Sequence, residues 1–288
     1  MPSTRQLKSR IRSVKSNKQI TKAMELVAAS KLRKSQDASR ASQAYALAAR
    51  ELLTQLGRLS DVQQFPFFKK RTVKRRLVLL ITSDRGLAGA YNVNVIKQFM
   101  QVLHADKKAG AQTQVICVGR RGAQFAAQLN EVEVVGVYAD MPDYITANDF
   151  RPILVAAVDR FIDEIVDSVD IITTRYVNSF TQQAETMPLL PAVFETTEVS
   201  QDIQLARFEP SISVVLEGAT VRLLESQLYQ ALLDAKASEH SMRRVAMKNA
   251  TDNATELVDD LTLEMNKVRQ AAITQELSEI SAGVEAMK

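Results

Sequence analysis

The stretch best placed to do chemistry is Ser83-Asp84-Arg85-Gly86-Leu87-Ala88-Gly89-Ala90. It follows the apolar run Arg76–Thr82 and leads into a helical pattern. A strand, a glycine-containing turn and a helix form the setting in which backbone amides hold a phosphate. The residues that would complete such a loop are missing: there is no GxGxxG, and no Gly-Lys followed by Ser or Thr. Cys117-Val118-Gly119-Arg120-Arg121-Gly122 repeats the shape with the same deficit. Both read better as helix-entry turns, the first with a surface Asp–Arg pair, than as nucleotide sites.

Other reactive residues are equally sparse. No GxSxG or HExxH occurs. The two histidines, His104 and His240, are far apart, and Cys117 is the single cysteine, so neither a His-based metal site, a zinc pair nor an internal disulfide is expected. Asp259-Asp260 and Glu276 with Glu279 are paired carboxylates on helical patterns; a solvated face or ion pairs explain them without a metal. No cofactor is implied.

The elements that position these residues follow from where helix breakers fall. Glycine and proline are absent from Ser3 to Leu56 and again from Ala219 to Ala282. Both arms can therefore be long helices, of roughly 80 and 95 Å at ~1.5 Å per residue. Leu7, Ile11, Val14, Met24, Val27, Tyr45, Leu52, Leu56 and Leu59 mark an apolar stripe in the first arm, with Ala28, Ala38, Ala41 and Ala48 between and small Ala and Ser residues allowing close approach. In the second arm Leu224, Leu228, Ala231, Ala235, Met242, Val245, Leu257, Leu261, Val268, Ala272, Ile280 and Val284 recur at threes and fours. That is coiled-coil spacing, interrupted at Lys18, Asn249 and Asp252. Each arm needs a partner for its stripe, and an antiparallel pairing of the two is the simple solution.

Between the arms the pattern is α/β. Arg76–Thr82, Gln114–Val118, Val132–Tyr138 and Val169–Tyr176 read as strands. Asn92–Asp106, Arg120–Leu129 and Asn148–Val166 read as helices. The alternation predicts a small, mostly parallel, Rossmann-like sheet with flanking helices. Phe65-Pro66-Phe67-Phe68 and the basic run to Arg76 read as a linker. The expected domains are an N-terminal coiled-coil helix (1–59), a central α/β domain (60–210) and a C-terminal coiled-coil helix (211–288).

Composition fits a folded, helix-rich protein: 46% of residues are hydrophobic, only 6% aromatic, and there is no Trp. No run of about 18 apolar residues exists, so no membrane span is expected. The basic opening MPSTRQLKSRIRSVK lacks the apolar core of a signal peptide and reads as mature protein. Residues 1–40 carry eleven Lys and Arg against Glu25 and Asp37, whereas residues 201–288 carry nine against fourteen Asp and Glu. The basic arm suits an acidic partner. Nucleic acid is the weaker alternative, because the charge is threaded through an apolar stripe without interleaved aromatics. A coiled-coil adaptor is another open reading.

Four segments carry a family resemblance. Ile20-Thr21-Lys22-Ala23-Met24-Glu25-Leu26-Val27-Ala28-Ala29-Ser30-Lys31-Leu32-Arg33 resembles the N-terminal signature of F-type ATP synthase gamma subunits, of the bacterial type. Ile273-Thr274-Gln275-Glu276-Leu277-Ser278-Glu279-Ile280 resembles the C-terminal one, and Ser238 to Ala254 is similar to the pattern between them. Asp84-Arg85-Gly86-Leu87 matches the turn after the first sheet strand. Departures are small: Ala88 stands where the family often has Cys, Ala90 where it often has Gly, and Val284 where Ala usually follows the Gly.

The resemblance implies a non-catalytic rotor shaft for ATP synthesis coupled to ion transport. Its arms would form an antiparallel coiled coil inside a hexamer of alpha and beta subunits. Its central domain would touch the epsilon subunit and the membrane c ring. It implies a peripheral position on the cytoplasmic side of a bacterial inner membrane. Met24, Arg243 and Gln270 are the implied coupling positions, supported by Lys22, Arg269, Thr274, Glu276 and Glu279. A disulfide-based redox switch, as in plant chloroplast relatives, is not expected with Cys117 alone. Facing numbers in an antiparallel pair keep a constant sum. If Gly57 faces a residue between Pro210 and Gly218, Ser3 faces one between Glu264 and Ala272, and the C-terminal helix overhangs by roughly 24–36 Å.

Overall fold

The computed structural model describes residues 3–56, 65–192 and 212–286. The expected domain boundaries at 59/60 and 210/211, and the proposed base of the coil at Gly57, lie outside them. The chain divides into two compact units: Met1–Ala28 with Arg243–Lys288, and Ala29–Met242. Two uninterrupted helices, α1 (Thr4–Leu56) and α5 (Ile212–Ala286), run through both.

In the first unit α1 and α5 pair antiparallel. The hydroxyls of Thr21 and Thr251 lie 2.8 Å apart and set the register. Counting outward from that pair, Leu7, Ile11 and Val14 stand level with Met265, Leu261 and Val258. These six, with Val268, form one apolar cluster, in which Leu7 is fully buried. The same count sets Ser3 level with Arg269, inside the expected range. Every residue from Arg269 to Ala282 is exposed. The stretch from Gln270 to Ala286 therefore extends roughly 25 Å beyond the end of α1.

The second unit holds a five-stranded sheet of order β3-β2-β1-β4-β5. Its strands are β1 (Arg75–Ile81), β2 (Gln112–Val118), β3 (Val132–Tyr138), β4 (Ser168–Tyr176) and β5 (Gln182–Leu190). The first four are parallel and β5 is antiparallel to β4. Alternate β1 residues serve opposite faces. Val78 and Leu80 pack with Val95 and Phe99 of α2 (Tyr91–Ala109) and Ala126 of α3 (Arg120–Ala126). Leu77, Leu79 and Ile81 pack with α4 (Ala147–Ile162) and with α5 from Leu223 to Ala235. Among the described residues the larger core includes one from α1, Ala49. In this unit α1 also meets α5 through polar contacts: Ser39 Oγ donates to Asp234 Oδ1 at 2.6 Å, and Gln227 Nε2 to the Ala46 carbonyl at 2.6 Å.

Three expectations need correction. The fifth strand was not foreseen, because Gln182, Gln183 and Glu185 are polar and Pro188 cannot donate to a ladder. The strand survives because it lies at the sheet edge, pairing with β4 alone. Phe67 and Phe68 are not part of an open linker: Pro66–Phe68 forms a short 3-10 turn that buries both rings in the core. The coil seam also differs from the apolar stripe. Val27, Tyr45, Val245 and Leu257 are exposed, while Ala28, Ser35, Ser39, Ala46 and Ala49 are buried. Small side chains let helices approach closely, and the larger apolar residues are displaced outward.

Candidate coupling surface

The carboxyl edge of the sheet, where an α/β fold would hold a ligand, is occupied by its own side chains. Asp84 Oδ1 accepts the backbone N–H groups of Arg120 and Asp140, at 3.1 and 3.0 Å. Ser83 Oγ donates to the Arg85 carbonyl at 2.7 Å. A carboxylate thus takes the amides that a phosphate would need. Thr82 Oγ1 accepts the Gly122 N–H at 2.8 Å. Gly119 has φ +101°, and a Cβ there would lie 2.3 Å from the Thr82 carbonyl oxygen, so the crossing admits only glycine. The cavity bounded by Thr82, Gly119, Met141 and Lys236 measures about 10 Å³, room for one water and not for a nucleotide. Burial pushes the Cys117 thiol up to about 12, which keeps it protonated and unreactive. Among the described residues no cluster of three or more metal-ligating side chains occurs.

The sequence-derived positions fall into two groups at different heights on the first unit. Met24 is half-buried and, by the Thr21–Thr251 register, stands level with Lys248. Arg243, also half-buried, is five residues further along α5, roughly 7 Å in height. Lys22 is exposed and pairs with Glu25 at 3.0 Å. Near the helix end, Arg269, Gln270, Thr274, Glu276 and Glu279 are all exposed. Thr274 donates back to the Gln270 carbonyl at 3.0 Å, and Glu279 accepts from Gln275 at 3.0 Å. The two groups are separated by roughly 33 Å of helix, too far to act on one bound molecule.

Around both groups the surface is apolar as well as charged. Ile20, Leu26 and Val27 on α1, and Val245, Leu257, Leu263, Ile273, Leu277 and Ile280 on α5, are each at least 45% exposed. This much outward apolar surface on a helix pair signals a covering partner. Sequence reading missed Phe180, at 93% the most exposed large hydrophobic among the described residues. It sits at the β4–β5 turn, where Asn178 Oδ1 accepts the N–H groups of Phe180 and Thr181 at 2.9 and 2.8 Å. The Asn178-Ser179-Phe180-Thr181 turn signal was present; the strand after it was not recognised.

The arrangement defines a shaft-type protein: two long helices with partner-facing surface. Comparison with known proteins agrees. The family model described as ATP synthase matches residues 3–287. The ATP synthase gamma chain of Stenotrophomonas maltophilia (strain R551-3) is 38% identical over 288 residues, covering 100% of both chains. That of Opitutus terrae is 41% identical over 296 aligned positions, covering 98% of each. A chain of the Euglena gracilis mitochondrial ATP synthase, from an OSCP/F1/c-ring structure in rotational state 3, shares the fold. Its TM-score is 0.72 at 19% identity, with 99% of this chain and 94% of that one covered. A chain from the Tetrahymena thermophila central stalk and c-ring structure gives 0.59 at 21% identity, covering 80% of this chain and 99% of that one. The chain belongs to the ATP synthase gamma-chain family. It is a non-catalytic subunit, the central-stalk rotor of an F-type ATP synthase that couples proton transport to ATP synthesis.

Proposed function

We propose that the paired helices turn inside a hexamer of alpha and beta subunits and set the state of each catalytic site by contact alone. One asymmetric shaft inside a pseudo-threefold ring meets three equivalent subunits differently. Each contact pattern favours one open or closed state, so rotation redistributes conformational free energy and product leaves where a site opens. Met24, Lys22 and Arg243 act at the lower height. Arg269, Gln270, Thr274, Glu276 and Glu279 act near the tip, where carboxylates and a guanidinium can change partners as the shaft turns. The central α/β domain, residues 60–210, forms the foot against the epsilon subunit and the c ring. That attachment holds the chain at the cytoplasmic face of a bacterial inner membrane; among the described residues no helix is long and apolar enough to cross one.

The observation that carries this reading is the overhang. Ile273, Leu277 and Ile280 lie beyond the last α1 residue and are 50–64% exposed. An apolar collar supplied by the hexamer covers such a tip at low cost to rotation, since apolar contact is non-directional. A structure of the assembled complex tests it. Alpha and beta side chains should surround Leu277, and polar groups should meet Arg269 and Glu276. A tip standing clear of the hexamer overturns the proposal.

A further inference from the structure

The loop between β3 and α4, residues 139–146, is gripped from three sides. On the sheet side, the Asp140 N–H donates to Asp84, and the Asp140 carboxylate pairs with Arg120. From α1, Lys31 Nζ lies 2.7 Å from Asp143 Oδ2, and Lys34 Nζ sits 5.3 Å from the centre of the Tyr144 ring. From α5, Lys236 Nζ donates to the Met141 carbonyl at 3.0 Å, and His240 Nε2 lies 3.4 Å from Asp143 Oδ1. The two oxygens of one carboxylate thus face one basic group from each long helix. Ile145, two residues on, is buried in the sheet core.

Among the described residues, the one from α1 in the sheet core is Ala49, whereas α5 lays a whole face there, from Leu223 to Ala235. A twisting load applied to α1 also meets polar contacts: Lys31 to Asp143, Lys34 to Tyr144, and Gln36 to the Tyr176 hydroxyl at 2.5 Å. Lys31 and Asp143 are each 40% exposed, so their pair alone is weak. His240 is buried at 3% exposure and approaches the other oxygen of the same carboxylate.

We infer that Asp143 is a positioning residue for torque transfer, tying α1 through Lys31 and α5 through His240 to the sheet. This rests on the reading of α1 and α5 as a turning shaft. Lys31 from α1, and His240 and Lys236 from α5, surround Asp143. On the sheet side the same stretch of α5 is held by Ser238, which donates to the Thr174 carbonyl, and Ser241, which donates to that of Ser179.

Torsional stiffness in the complete complex tests the inference, with the hexamer fixed and a bead on the central domain reporting rotational fluctuations. Asp143→Asn should soften the rotor while unloaded ATP hydrolysis stays at the wild-type rate, and Asp143→Glu should restore stiffness. His240→Gln should soften the rotor as well, by removing the α5 side of the tie. Wild-type stiffness in Asp143→Asn overturns the inference. Lys31→Gln removes the same pair from the solvent side and gives the same readout if Asp143→Asn does not assemble. A bead that fails to turn with ATP in the wild-type complex counts against the shaft reading instead.

Discussion

Thr21 and Thr251 face each other across the two long helices with their hydroxyls 2.8 Å apart. Thr251 is only 7% exposed, and its single hydroxyl proton has a second acceptor, the Met247 carbonyl, also at 2.8 Å. Thr251→Val keeps the shape and removes the polar link. The expected cost is about 1 kcal/mol, the net worth of one buried hydrogen bond. Thermal unfolding of the isolated chain, followed by circular dichroism, checks it. Thr251→Ser should recover most of the loss.

Met24→Lys should disturb coupling more than folding. Met24 is half-buried and level with exposed Lys248, so the new ammonium can reach solvent without breaking the seam. In the complex the added charge can pair with an acidic partner group. Even ~1 kcal/mol in one rotational state biases the cycle several-fold. Protons pumped per ATP hydrolysed should fall while the complex still assembles. An unchanged ratio counts against Met24 as a coupling position.

Arg76 links two buried carboxylates. Its Nε lies 2.9 Å from Asp106 Oδ1, and its Nη1 pairs with Asp170. Thr113 donates to Asp106 at 2.9 Å. Arg76→Ala strands both carboxylates and should cost about 3–5 kcal/mol near neutral pH. Burial outweighs the attraction of Arg76 and holds the Asp170 pKa above its ordinary value. The folded state therefore binds that proton more firmly than the unfolded chain. Its stabilising effect is complete below the unfolded pKa and is lost as pH rises through the folded one. The destabilisation by Arg76→Ala should accordingly be smaller at about pH 4 than at pH 7 in denaturant titrations.

Gly119→Ala should unfold the carboxyl edge of the sheet. The new Cβ would meet backbone, which cannot rotate away, at a φ that alanine rarely adopts. A loss of more than about 2 kcal/mol is expected in chemical denaturation. Gly110→Ala is the control, because it too has positive φ but nothing lies within 4 Å of its Cβ position.

Leu277→Ser should leave the stability of the isolated chain within about 0.5 kcal/mol of wild type, because the side chain is 61% exposed. It should lower self-association measured by sedimentation, since it interrupts an exposed apolar row.

Much of this architecture was legible in the sequence because it depends on absences and long patterns. Two arms without Gly or Pro had to be helices, and the apolar run that became β1 had to be a buried strand. The register followed within a few residues from chain geometry alone. The seam was harder to read. Hydrophobicity marks Val27 and Val245 as interior, yet the close approach of α1 and α5 is made by Ala28 and Ala46, whose advantage is size. The Asp143 tie was not legible, because it joins residues about a hundred positions apart, and Asp143 itself belongs to no motif. Strand β5 was hidden by polar residues tolerated only at an edge.

The constant sum that relates facing residues also constrains how this chain can change over generations. Deleting one residue from α1 alone would turn everything N-terminal to it by about 100° and slide it by about 1.5 Å against α5. Leu7 and Ile11 would leave Met265 and Leu261, and the seam would be lost from that point to the end. A single insertion in α5 between Thr251 and Leu261 would do the same from the other side. Length changes are harmless only when they come as matched pairs, or beyond Arg269, where α5 has no facing residue among those described. Substitutions can accumulate along both arms, whereas insertions and deletions should be confined to the overhang and the loops of the sheet domain.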